Sequence, residues 1–232
     1  MDQTEKGDML LHCLAVLSCV FGWMHINNAM KKVNDQYRVI YSHKQLDNFI
    51  SVIHNAFSIV LTLYYYMWSE KSRYVSDYAV IHCMVLWSQS YYVYDILKYW
   101  TNPSKHLVMI AHHIVSTIGV MSMSNPNRAV ADVVIYGMAV AELSNYPMYW
   151  VYHLKHNMTQ RFIDPKWYIY ETISFVLFRG IFGIYNLVLY PVQNSHVWFI
   201  VFGICSMSIL WAKGTYDQYV HTQSSDYWLN RV

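Results

Sequence analysis

Charge is scarce in this chain. Only 13% of its 232 residues are Asp, Glu, Lys or Arg, about half the ~25% typical of a water-soluble domain. The net charge of +2 supplies no basic field of the kind nucleic acid needs, which excludes a nucleic-acid partner. Cysteine is equally thin. Cys13, Cys19, Cys83 and Cys205 fall in apolar stretches, with neither metal-ligand spacing nor a disulfide framework. They read as small buried residues. There is no internal repeat, low-complexity tract or linker, so one compact domain is expected. Apolar and polar residues do not alternate over stretches of about ten, which argues against a membrane β-barrel.

Apolar residues are plentiful, at 55% of the chain. Mean hydropathy is nevertheless only +0.16, because the 22 tyrosines count against it. Their rings suit membrane interfaces and protein-lined cavities. A helix crossing a bilayer needs about 20 mainly apolar residues. Seven segments come near that: 9–26, 47–68, 76–97, 106–124, 129–151, 167–190 and 197–216. The expectation is an all-α polytopic membrane protein with seven transmembrane helices and short connections. Asp2, Glu5 and Asp8 precede the first segment against Lys6 alone, and no small-residue cleavage site follows. It reads as a retained anchor helix, not a signal peptide.

Lys and Arg mark cytosolic loops. With a lumenal N-terminus, the cytosolic side holds Lys31, Lys32, Arg38, Lys44, Lys98, Lys105, Lys155, Arg161, Lys166, Lys213 and Arg231. The other side holds only Lys6, Lys71, Arg73 and Arg128. This asymmetry predicts N-terminus lumenal and C-terminus cytosolic. The sequon Asn157-Met158-Thr159 then lies in a cytosolic loop and carries no glycan.

Inside the segments stand ionisable residues, which are costly at membrane depth and face a protein interior or a wet cavity. His112 and His113 are adjacent in the fourth segment. Counted from the cytosolic ends, they and His54 lie roughly 9–10 Å deep, and Asn145 and Glu142 roughly 9–14 Å. Glu171 and Arg179 fall at roughly 6 and 18 Å, and Asp95 ends the third segment near the interface. Ser88, Tyr91, Tyr92 and Asp95 recur as one helical stripe. His112 shares a face with Ser116, and His113 with Thr117. Adjacent helical residues are about 100° apart, so one imidazole addresses substrate while the other meets a neighbouring helix. Pro147 frees the carbonyl of Leu143 beside Glu142, which protein or cavity water must re-satisfy. Plainer readings stand beside these: His54 as packing, Asp95 as an interfacial cap, Glu171 and Arg179 as structural ion-pair partners, Lys98, Lys105 and Arg128 as flank charges, and Tyr64-Tyr65-Tyr66 as an aromatic belt.

Four stretches in order carry a resemblance. Ser51-Val52-Ile53-His54-Asn55-Ala56 resembles the opening of a TLC domain, and Tyr94-Asp95-Ile96 its tyrosine–aspartate step. Ala111-His112-His113-Ile114-Val115 is similar to its double-histidine helix, and Ala141-Glu142-Leu143-Ser144-Asn145-Tyr146-Pro147 to its glutamate–serine–proline helix. The chain thus resembles the TLC-domain family, the superfamily of ceramide synthases, over residues 43–218. Region 132–143 lacks the synthases' histidine–aspartate pair and further aspartate, and its closing run is nearer the non-synthase branch. The resemblance implies a six-helix bundle around an elongated, membrane-embedded cavity, preceded by one extra helix. Residues 1–42 would form that anchor helix and a cytosolic loop, 43–218 the TLC domain and 219–232 a cytosolic tail. It also implies lipid metabolism or membrane-lipid homeostasis in the endoplasmic reticulum. The organelle rests on the resemblance alone, since Leu229-Asn230-Arg231-Val232 is no retrieval signal.

Two functions fit. An acyltransferase would move an acyl group from acyl-CoA to the amine or hydroxyl of a lipid. His112 or His113 would act as base or as acyl acceptor, Asp95 or Glu142 would orient the imidazole, and Asn145 would donate to the oxyanion. His54, Tyr91, Ser116 and Arg179 would bind substrate; no cofactor and no metal are expected. A non-catalytic lipid-binding or trafficking protein would use the same layer for a headgroup, with Arg179 pairing a phosphate or carboxylate. The partner is a membrane lipid or fatty acyl-CoA in either case, and an oligomer is compatible with the sequence. A G-protein-coupled receptor would carry an Asp-Arg-Tyr triplet, an Asn-Pro-x-x-Tyr motif and an extracellular disulfide, none of which occurs. A di-iron desaturase needs three histidine boxes. Of 12 histidines only His112-His113 and His153-x-x-His156 come close, and the latter falls in a predicted loop. Transporter repeats and paired broken helices are lacking.

Overall fold

A computed structural model of the chain describes residues 3–37, 41–69, 76–124, 128–156, 163–189 and 195–223. Among these residues there are helices and no strand. They are α1 (Gln3–Tyr37), α2 (His43–Ser69), α3 (Ser76–Tyr99), α4 (Pro103–Met121), α5 (Arg128–Lys155), α6 (Lys166–Ser174), α7 (Phe182–Leu189) and α8 (Ser195–Thr222). A 3-10 turn, Ser122–Ser124, extends α4. A π-helical stretch, Phe175–Ile181, joins α6 to α7 without a break, so the three form one rod. The sequon Asn157-Met158-Thr159, the basic residues Arg38, Lys71, Arg73, Arg161 and Arg231, and the closing Leu229-Asn230-Arg231-Val232 lie outside the described residues.

Four helices are long and apolar enough to cross a membrane: Gly7–Tyr37, His43–Met67, Pro103–Ser124 and Trp198–Thr222. The sequence reading counted seven. The other three rods carry more polar residues, and those residues turn inward. On α3, Ser88, Gln89, Ser90 and Asp95 are buried, as are Glu142 and Ser144 on α5. The exterior is the reverse: Leu11, Phe21, Leu107, Phe199 and Ile209 are each at least 65% exposed. Polar inside and large apolar outside inverts the distribution of a water-soluble domain and suits a lipid-facing surface.

Helix contacts close a ring. α2 packs on α3, α3 on α4, α4 on α8, α8 on α6, α6 on α5, and α5 on α2. α1 lies outside the ring against α3 and α2. Side-chain hydrogen bonds fix the register of antiparallel α2 and α5. Gln45 donates to the carbonyl of His153 (3.0 Å), Asn48 to that of Tyr149 (3.0 Å), Asn55 to that of Glu142 (2.8 Å), and Tyr65 to Asp132 Oδ1 (2.6 Å). As the α2 number rises, the α5 number falls in step. Such bonds between helices hold rods together where lipid offers no hydrophobic drive.

Several expectations need correction here. α1 continues well past residue 26, to Tyr37, so Lys31 and Lys32 are helical and not in a loop. Partners explain this: Asn27 donates to Tyr94 Oη (2.8 Å) and Asp47 Oδ1 (3.0 Å), and Lys31 pairs with Asp47 at 2.6 Å. None of the cysteines is buried. Cys13 and Cys83 are exposed, Cys19 and Cys205 intermediate, because the apolar stretches holding them turn partly outward. Tyr65 is buried on Asp132 and is no belt residue, whereas Tyr64 and Tyr66 are exposed. His153 belongs to α5, not to a loop. Ahead of α6, Asp164 accepts the backbone N–H of Lys166 (3.0 Å) and pairs with its Nζ (2.6 Å). The Lys166 side-chain bond is the main cause holding the Asp164 carboxyl below its ordinary 3.8.

Candidate functional site

The ring encloses a cavity of about 400 Å³, within the ~300–1,000 Å³ usual for small-molecule sites. α4 lines it with one face: His106, Met109, His113, Ser116, Val120 and Met123 recur at spacings of three or four. All nine residues singled out from the sequence border it. They are His54 on α2, Tyr91 and Asp95 on α3, His112, His113 and Ser116 on α4, Glu142 and Asn145 on α5, and Arg179 on the π-helical stretch. Glu171 does not line it, although it is buried on α6.

The two histidines serve different walls, as their ~100° separation requires. His113 turns to α3. Its Nε2 lies 2.8 Å from Asp95 Oδ2, and its ring meets Tyr92 and Tyr99 at centroid distances of 5.3 and 6.4 Å. His112 turns to α8, its ring edge-on to Trp211 at 4.9 Å. Asp95 is only 2% exposed, so it is no interfacial cap. Its second oxygen, Oδ1, lies 2.5 Å from Lys98 Nζ, which also sits over the Tyr99 ring at 4.7 Å. Lys98, Asp95 and His113 thus form a chain of close ion-pair contacts in the cavity wall, and Lys98 is more than the flank charge expected. His54 is packed and also borders the cavity. It stacks on Tyr91 at 4.0 Å and its Nε2 lies 3.4 Å from Ser58 Oγ, while Tyr91 donates to Ser51 Oγ (2.8 Å).

A second network centres on Glu142. Its Oε2 accepts Asn55 (2.6 Å) and Asn145 (3.1 Å), and its Oε1 accepts Tyr92 (3.2 Å). Asn145 in turn accepts Arg179 Nη2. Arg179 Nε donates to Ser144 Oγ (2.6 Å) and Nη2 to the Ala141 carbonyl (3.2 Å). Arg179 is 3% exposed. The expected ion pairing of Arg179 therefore takes another form: Asn145 bridges it to Glu142. Every hydrogen-bonding partner named here lies within the ring, so the network ties α2, α3, α5 and the π-helical stretch around one charge pair.

The cavity changes character along its length. One end is polar, with Asp47, Lys98, Tyr99, His106 and Tyr152; the other is lined by Gly119, Val120, Met123, Val133 and Ile200. Val120, Met123 and Val133 are each at most 3% exposed, which closes the apolar end. At Gly119 a Cβ would lie 3.1 Å from Ile200 Cγ2, so glycine keeps α4 and α8 close there.

Sequence reasoning passed over Tyr99, Tyr149 and Trp211 and took Lys98 for a flank charge; all four are in the wall. Tyr149 continues the helical stripe of Glu142 and Asn145, and Lys98 lies one turn beyond Asp95; both spacings were readable. Trp211 carried no local signal. No protein-family model, curated protein or solved structure matches this chain.

Proposed function

We propose that the chain is an integral membrane protein of seven spans that holds a lipid acyl chain in its central cavity and transfers it from acyl-CoA to the amine or hydroxyl of a lipid. The observation that carries this reading is a buried His113–Asp95 pair at 2.8 Å in the wall of a cavity whose far end is closed and apolar. Four motifs in order support placing it on the non-synthase branch of the TLC-domain family. They also support an endoplasmic-reticulum membrane, while the Lys and Arg asymmetry supports a lumenal N-terminus and a polar cavity end toward the cytosol.

Cavity length supports an acyl chain. From His113 to Met123 the wall of α4 runs ten residues, or about 15 Å. A staggered chain with bonds of about 1.5 Å at about 111° advances about 1.25 Å per carbon. About a dozen carbons therefore fit below the histidines.

The dyad supports the chemistry. In the tautomer that has its proton on Nε2, the atom 2.8 Å from Asp95 Oδ2, the His113 ring would carry its lone pair at Nδ1. The acceptor nitrogen or oxygen attacks the thioester carbonyl and gives its proton to Nδ1. Asp95 steadies the imidazolium. The C–S bond then breaks, and the proton passes to the leaving CoA thiolate. Asn145, already committed to Arg179 and Glu142, is better suited to hold those residues than to meet an oxyanion.

One observation favours a non-catalytic lipid carrier instead. Lys98 at 2.5 Å already offsets the charge of Asp95, which weakens its support for an imidazolium. Acyl transfer by purified protein decides between them. Transfer that is lost in His113→Ala, with the fold retained, supports the enzyme; co-purified lipid without turnover supports the carrier. Turnover undiminished in both His112→Ala and His113→Ala contradicts the histidine mechanism.

A further inference from the structure

The guanidinium of Arg179 is held on one side only. Nε and Nη2 are bound to Ser144, Ala141 and Asn145 of α5. Nη1 is buried and has no hydrogen-bond partner among the described residues. The same holds for Nδ1 of His112. Trp211 stands beside both groups, 5.4 Å from the Arg179 guanidinium carbon and 4.9 Å from the His112 ring. Both residues line the cavity. The hydrogen-bond partners of this buried cation are a hydroxyl, an amide and a carbonyl, and the Phe175 and Trp211 rings lie 5.1 and 5.4 Å from its guanidinium carbon; none of these is a carboxylate in direct contact. Glu142 reaches it only through Asn145.

We propose that Arg179 Nη1, with His112 in the tautomer that bears its proton on Nδ1 as second donor, seats the carboxylate of a free fatty acid whose chain runs to the apolar end at Gly119–Met123. This rests on the reading of the cavity as an acyl site and adds the headgroup class. Two nitrogens match the two oxygens of a carboxylate. A phosphate monoester brings a charge of about −1.5 to −2, which the single guanidinium offsets only in part. Neutral esters and alcohols bring no negative charge to the Nη1 side of the guanidinium, whose Glu142 partner lies beyond Asn145 on the other side.

The test uses the full chain in lipid nanodiscs at a pH where the acid is ionised. Equal amounts of dodecanoate, methyl dodecanoate and dodecyl phosphate compete, with bound species read by native mass spectrometry. The acid should exceed the ester by at least about tenfold, the scale of a hydrogen bond to a charged group. Arg179→Gln should bring the acid down to the level of the ester and leave the ester unchanged. Should that variant not fold, the ligand comparison on the unaltered chain still decides. Equal binding of acid and ester overturns the carboxylate seat while the acyl cavity stands. Preference for the phosphate overturns the headgroup assignment. Binding of none of the three overturns the acyl-cavity reading itself.

Discussion

Asp95→Ala tests the Lys98–Asp95–His113 contacts without assuming any activity. The substitution removes a carboxylate that is 2% exposed and lies 2.8 Å from His113 and 2.5 Å from Lys98. Breaking a buried ion pair by deleting one partner costs about 3–5 kcal/mol, because the surviving charge stays unpaired. In a chain of this size each kcal/mol moves the melting midpoint by about 2–4 °C, so a fall of roughly 6–20 °C is expected. The Lys98 side chain is 25% exposed, and access to solvent would place the result in the lower half of that range. The control is Asp35→Ala. It breaks another His–Asp contact, with His43 at 3.1 Å, but both of those side chains are more than half exposed, and exposed pairs contribute little. Its midpoint should match the parent within error. Tryptophan fluorescence during heating in detergent, at one fixed scan rate, reads both variants. Adding Lys98→Met to Asp95→Ala should recover part of the loss by removing the orphaned cation. Equal midpoints for Asp95→Ala, Asp35→Ala and the parent would refute the claim that burial makes this pair structural.

Three further outcomes follow from the same geometry. Tyr92→Phe and Glu142→Gln should couple in a double-mutant cycle by about 0.5–3 kcal/mol, since Tyr92 donates to Glu142 at 3.2 Å; additive losses would place them in separate networks. Gly119→Leu should fill the apolar end, where even a Cβ meets Ile200 at 3.1 Å, and shift binding toward shorter chains. Gly22→Leu, with nothing within 4 Å of its Cβ, should leave chain preference unaltered. Outside the spans, Lys166 lowers the Asp164 carboxyl below 3.8. A lowered folded value means a stabilising contribution present above the ordinary carboxylate range and lost as pH falls through the folded value. The small difference between the parent and Asp164→Asn should therefore vanish on acidification, as followed by thermal melting across pH.

How far the sequence could be read depended on where the partners of each residue lie. α2, α4 and α8 are long apolar runs, and hydropathy alone locates them. The inward stripe of α3 follows from the spacing of Ser88, Tyr91, Tyr92 and Asp95. The end of α1 did not show, because Asn27 and Lys31 look like loop residues until Tyr94 and Asp47 arrive from other helices. The spacing of Lys98 from Asp95 was readable, but the burial of Asp95 was not, because the helices that cover it are distant in sequence. The π-helical stretch that carries Arg179 changes the angular spacing within its rod, and no residue pattern announced it. Residues joined by local spacing were legible, and those joined by contact between helices were not.

The central claim is that an acyl chain occupies the ring interior beside His113 and ends at Met123. A dodecanoate analogue bearing a photoreactive group at its terminal carbon measures this directly, with crosslinked peptides mapped by mass spectrometry. The account predicts labelling at Val120, Met123, Val133 and Ile200, with excess dodecanoate abolishing it. Labelling confined to outward residues such as Leu107, Ile118 and Phe199, with no competition, would contradict it.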